Sequence, residues 1–182
     1  MAVLKVVKWP EKVLETPAKE VEVFDEELQK FVQDMQETMK DAHGIGLAAN
    51  QVGVLKRVLT IEIPAPTGEE DDEEEKTWWH DKPFVFINPK IISKKGKIQY
   101  TEGCLSFPEI YENIERAAEI VVEAKDANGD TFEVTADGLF SICLQHEIDH
   151  LDGIVFTQRM SRLKAGMVKK RLMKRAKLEA LT

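Results

Sequence analysis

The chain has 182 residues, a formal net charge of −8, 43% hydrophobic and 32% charged residues. That length and composition suit one globular domain with a single core of ordinary size, and exclude a disordered or fibrous chain. No apolar run approaches the ~18–20 residues needed to span a bilayer, and charge enters the N-terminal segment too early for a signal-peptide core. The expectation is a cytoplasmic protein with no membrane partner.

Residues 25–42 read as an amphipathic helix, with Leu28, Phe31, Val32, Met35 and Met39 at three- and four-residue spacing. Asp25, Glu26 and Glu27 favour its N-terminal dipole, and Gly44 is placed to end it. A Gly/Ala-rich stretch, GIGLAANQ (44–51), leads into a strand at 57–63. Residues 64–82 carry two prolines, the unbroken acidic run Glu69–Glu75 and Trp78-Trp79; they read as a solvated insertion between strands.

Further strands are expected at 84–88, 97–101, 117–125 and 131–135, the last two joined through an Asn128-Gly129 turn. A helix is expected over 138–151 and a basic one over 161–178, where Leu163, Met167, Leu172 and Met173 can cover one side. Central strands flanked by helices predict a single α+β domain over 1–182, with a mainly antiparallel sheet.

Charge is unevenly distributed. The acidic run contributes seven of the eight net negative charges, whereas Arg159 to Lys177 holds nine basic residues and no acid. The basic end is therefore the candidate surface for a polyanionic partner. Cys104 and Cys143 are the only cysteines, and in a reducing compartment they are core residues, metal ligands or nucleophiles rather than a disulfide.

The strongest chemical signal is QHEIDH (145–150). On a helix His146 and His150 lie one turn apart on one face, so both imidazoles can reach one ion, and Glu147 stands beside the first as a general acid/base. Two histidines, a glutamate and an aspartate on an otherwise apolar helix are costly unless something compensates them.

A catalytic site needs a third protein ligand, and the protease continuations of this motif fail: Phe156 occupies the position of a third histidine, and Glu179 is the only acid beyond Asp152. The ligand is therefore upstream. Cys143 lies about 10 Å along the helix axis from His150 and reads as a core thiol, while His43 and His80 read as structural or exposed. Cys104, in EGCLS (102–106) with a flexible glycine before it, is the favoured ligand. GIGLAANQ contains a mechanical match to a dinucleotide-binding fingerprint, but a helix precedes its glycines where a strand is required. Small residues there instead allow close approach, and Gln51 offers an amide donor.

GIGLAANQ, EGCLS and QHEIDH, in that order, resemble the three motifs of peptide deformylase, over about residues 5–175. The resemblance implies an antiparallel sheet against the motif helix, and Fe(II) held by Cys104, His146 and His150, one ion per chain. Zinc suits the same ligands, and nickel or cobalt can replace iron. It further implies hydrolysis of the formyl group from N-formylmethionine on nascent chains. Glu147 would be the proton carrier, with the Gln51 amide and the Leu105 backbone N–H as donors to the developing oxyanion. Ile45, Gly46, Leu139, Ile142 and Cys143 would form the methionine pocket, and the basic helix would dock to the ribosome; nothing points to DNA. The acidic insertion falls outside the pattern, and Tyr111 stands where some bacterial relatives carry a basic residue. Two other readings share features: a zinc endopeptidase with the same helix motif, and a non-catalytic, metal-stabilised RNA-binding module.

Overall fold

The computed structural model describes residues 2–63 and 83–179; the acidic insertion expected at 64–82, with His80, lies outside them. Helix α1 spans Glu26–Asp41, and the Asp25 side chain caps it by accepting from the Leu28 backbone N–H at 2.9 Å. The residue that turns left-handed after this helix is His43 (φ 53°) rather than Gly44. Gly44 serves a different need: a Cβ there would lie 2.9 Å from the Leu105 Cδ1.

Seven strands follow: β1 (Gly46–Ala48), β2 (Val58–Ile61), β3 (Phe84–Lys95), β4 (Ile98–Cys104), β5 (Phe107–Arg116), β6 (Glu119–Lys125) and β7 (Thr131–Asp137). They form a five-stranded antiparallel sheet in the order β1-β2-β3-β6-β7 and a separate antiparallel pair, β4-β5. Strand β3 runs well past its expected end because two register shifts against β6 let it bend and continue. At the first shift Asn88 takes φ 53°, and its side-chain amide exchanges two hydrogen bonds with the Val21 backbone, at 2.8 and 2.9 Å. The β6–β7 hairpin turns at Gly129 (φ 92°), as the Asn-Gly signal predicts.

Helix α2 (Gly138–Leu151) is buried on all sides from Phe140 onward, which explains why it shows little amphipathic character. It packs against β1, β2, β6 and β7, with Leu59, Ile61, Phe86, Val122, Phe140 and Leu144 in the core between helix and sheet. On the other face α1 covers β1 and β2 through Leu28, Met35 and Met39. A third apolar cluster joins the N-terminal segment and β5 to the last helix, through Leu14, Phe107, Phe156 and Leu172.

That helix, α3 (Arg162–Glu179), departs from its expected packing. Of the four apolar residues expected to cover one side only Leu172 is buried, while Leu163, Met167 and Met173 are exposed. Ion pairs Lys164–Glu112 and Arg175–Glu109 tie α3 to β5 instead. No helix among the described residues is long and apolar enough to cross a membrane.

Candidate metal centre

Two layers supply the site. Cys104 ends β4 where the ladder breaks: Gly103 pairs with Tyr111, but Cys104 pairs with Phe107, so residues 108–110 loop out of register. A Cβ at Gly103 would lie 2.8 Å from the Tyr111 ring, which covers the glycine, so a larger residue there would push this exposed ring aside. His146 and His150 come from α2, and their ring centroids are 5.0 Å apart. One ligand atom from each of Cys104, His146 and His150 lies within 4.8 Å of the others, with the Cys104 Sγ 3.2 Å from the His150 Nε2.

A buried charge relay holds His146. Its Nδ1–H donates to the Glu102 Oε2 at 2.8 Å; this selects the tautomer whose Nε2 lone pair is free for an ion. The Arg116 guanidinium donates to both Glu102 oxygens, at 2.7 and 2.9 Å, and to the Asp149 Oδ2 at 2.5 Å. Asp149 also accepts two bonds from Arg159, at 2.6 and 3.0 Å. Burial alone would raise the Glu102 pKa, but the Arg116 and His146 hydrogen bonds outweigh it and hold the carboxyl at about 2.

Glu147, one residue along α2, has no such partners. Its side chain is 4% exposed and its Oε2 makes no hydrogen bond. Burial dominates here and lifts its pKa to about 7 against the opposing charge of Arg116. Strand β1 reaches this carboxylate only because residue 46 is glycine: a Cβ there would lie 2.6 Å from the Glu147 Oε1 and 2.8 Å from the Cys143 Sγ. One thiol and two imidazole nitrogens converge beside an unpartnered buried carboxylate oxygen, and this donor set fits a divalent metal ion.

A cavity of about 450 Å³ opens over these groups, bordered on its inner side by Ile45, Gly46, Gln51, Cys104, Leu105, His146 and Glu147. Gln51 is 1% exposed and held at both ends: its Oε1 accepts from the Ala48 N–H at 2.9 Å. Its Nε2 donates to the Cys104 Sγ at 3.6 Å and the Ser106 Oγ at 3.4 Å. Tyr100, Glu109 and Tyr111 also border it, joined by His43, which reads as structural or exposed in the sequence. His150 lies deeper, 1% exposed.

Leu139, Ile142 and Cys143 do not border the cavity; they belong to the α2 surface, with Ile142 and Cys143 buried and Leu139 packed on the core beside the sheet. The Cys143 thiol sits 3.7 Å from the Ile45 carbonyl, and burial raises its pKa.

The relay residues Glu102, Arg116 and Asp149 are absent from the sequence-based site. Two were within reach, since Glu102 and Asp149 are acids embedded in the EGCLS and QHEIDH motifs. Their common partner Arg116 carries no local signal.

Comparison with known proteins points to one family. The polypeptide deformylase family model matches residues 3–166. A peptide deformylase of Neisseria meningitidis serogroup C is 48% identical over 136 residues, covering 75% of this chain and 74% of the relative. The crystal structure of a peptide deformylase from Legionella pneumophila superposes with a TM-score of 0.84 at 40% identity, covering 100% of this chain and 99% of that one. A peptide deformylase from Ehrlichia chaffeensis, solved in complex with actinonin, gives a TM-score of 0.86 at 40% identity, covering 96% and 98%.

Proposed function

The chain belongs to the polypeptide deformylase family, and from that premise we propose how its own residues divide the work of removing the formyl group from N-formylmethionine on newly made chains. The protein is a metal-dependent hydrolase, and its reaction joins water to the formyl amide, releasing formate and a free α-amino group. Cys104, His146 and His150 hold the ion; their convergence beside Glu147 is the observation that carries the reading. Iron(II) is the proposed native metal, with zinc, nickel or cobalt able to occupy the same donors. Lewis-acid polarisation of the formyl carbonyl, and increased acidity of the attacking water, are what a bound divalent cation supplies.

The remaining chemistry falls to the chain. The Glu147 carboxylate takes the proton from the attacking water and returns it to the departing amine. Negative charge growing on the formyl oxygen is met by the Gln51 Nε2–H and the Leu105 backbone N–H, each such donor typically worth roughly 2.7–4 kcal/mol. The bonds from Gln51 to Ala48 and Ser106 support this role by fixing the amide before substrate arrives. The methionine side chain is assigned to the cavity beside Ile45 and Gly46, with Leu139, Ile142 and Cys143 as its backing from α2. We place the protein in the cytoplasm, docked to ribosomes through the basic α3.

The test is formate release from formyl-Met-Ala-Ser by protein purified without oxygen, with iron and zinc quantified in the same sample. The formyl peptide should be hydrolysed while an N-acetylated peptide and an internal peptide bond stay intact. Activity should decay in air if iron is the working ion and persist after nickel exchange. Cleavage of the internal bond would return the endopeptidase reading, and an air-stable enzyme containing only zinc would overturn iron.

A further inference from the structure

A second, polar cavity of about 270 Å³ takes Gln145 and Asp149 from α2, where the substrate cavity takes His146 and Glu147. The β3–β4 turn, the end of β5, α2 and the segment leading into α3 border it. Its charged lining consists of Lys94, Lys97, Arg116 and Arg159 against Glu115 and Asp149; with Glu102 held bidentately by Arg116, one positive charge remains unmatched. The carboxylates are already committed: Glu115 pairs with Lys97 at 2.8 Å, and Asp149 with Arg116 and Arg159. Lys94 has no ion-pair partner among the described residues. A guanidinium has five N–H donors, and Arg159 spends two of them on Asp149. Gly96, in a left-handed turn (φ 64°), lies between Lys94 and Lys97, which border the same cavity.

We propose that this cavity binds a phosphate group, either inorganic phosphate or the terminal monoester of a phosphorylated ligand. Excess N–H donors at Arg159, an ammonium at Lys94 without an ion-pair partner and the donors that Lys97 keeps beyond its Glu115 pair match a compact anion with several acceptor oxygens. A phosphate offers these donors three or more acceptor oxygens, where a carboxylate offers two. Arg116 is 6% exposed and forms the floor, so the anion rests on the same guanidinium that orients Glu102 toward His146. This site stands whether or not the deformylase roles above hold, since it shares no residue with the substrate cavity.

The test is a titration of zinc-loaded holoprotein with inorganic phosphate, read by amide and guanidinium NMR shifts at ionic strength held constant with sodium chloride. Saturable changes should appear at Gly96, Ala117 and the Arg159 Nε, and K94E/K97E, two exposed positions, should weaken binding by about tenfold or more. Formyl-peptide hydrolysis by that variant should equal wild type. A 5′-phosphorylated oligonucleotide competing where its unphosphorylated twin does not would assign the terminal monoester; competition by neither would assign the free ion. Shifts that grow linearly without saturating, equal affinity in the variant, or shifts centred on Cys104 and His146 would each overturn the proposal.

Discussion

Glu102 and His146 are joined by a 2.8 Å hydrogen bond in which both side chains are nearly inaccessible, and Arg116 grips the other side of the same carboxylate. A metal-binding histidine anchored in this way loses orientation and basicity when its partner goes. Replacing Glu102 with Gln should therefore lower metal affinity by about 10–100-fold, measured by competition with a chelator. The loss of its charge also leaves Arg116 short of a counter-ion, at a cost of roughly 3–5 kcal/mol for a broken buried pair. Unchanged metal affinity would show that the carboxylate is only structural.

The same group sets a pH dependence of stability. Its carboxyl is held at about 2 in the fold, below the ordinary value of 4.5, so the unfolded state takes up the proton first. The stabilisation is fully present above the unfolded value and is lost as pH falls from about 4.5 toward about 2. In chelator, which removes the contribution of any ion, wild type should lose stability more steeply over that interval than Glu102→Gln in urea unfolding. Parallel slopes would contradict the assignment.

Glu147→Gln preserves shape and removes the proton acceptor. Metal content should remain near one ion per chain while turnover falls by roughly 10²–10⁴-fold. A variant retaining most of its activity would remove Glu147 from the mechanism.

The two cysteines make opposite predictions. Cys104→Ala should lose the ion or hold it far more weakly, because its thiol is one of three converging donors. Cys143→Ala should keep the ion and lose packing beside Ile45 and Gly46, read as lower thermal stability or a higher KM. Equal metal loss from both, read by electronic absorption of the cobalt-loaded proteins, would overturn the ligand assignment.

Docking through α3 is tested by reversing charge rather than by truncation, because Leu172 is buried in the third apolar cluster and its removal would open that core. Lys170, Arg171 and Lys174 are exposed, so replacing all three with Glu should leave tripeptide hydrolysis intact while weakening ribosome co-sedimentation. Binding by the wild type should fall steeply with salt, and the variant should show a shallower slope. Identical sedimentation by the two proteins would refute the docking role.

Most of the fold and the three converging donors were legible because their signals are local. α1 carries its own cap and period, the β6–β7 hairpin its Asn-Gly turn, and α2 an i, i+4 histidine pair. β5 was not legible, because Pro108, Glu109 (φ 62°) and Ile110 leave the register between Gly103 and Cys104, breaking the alternation that marks a strand. The buried faces at Phe107, Ile110 and Ile114 consequently follow a three- and four-residue spacing. Arg116 was equally hidden: its partners Glu102 and Asp149 lie 14 and 33 residues away, and nothing in the sequence near it announces a charge that will be buried. The packing of α3 misled in the other direction, since an apolar stripe on a basic helix does not say whether a surface exists to receive it.

Cys104 belongs to the β4-β5 pair, whereas both histidines belong to the helix packed on the five-stranded sheet. An ion shared among them is a cross-link between two otherwise separate sheets, tightened reversibly by the free metal concentration. At a thousandfold excess over its dissociation constant such a ligand adds about 4.1 kcal/mol to the folded state. Melting temperature should accordingly track metal supply, and amide protons of the β4-β5 hairpin should exchange sooner than those of α2 once the cross-link is withdrawn.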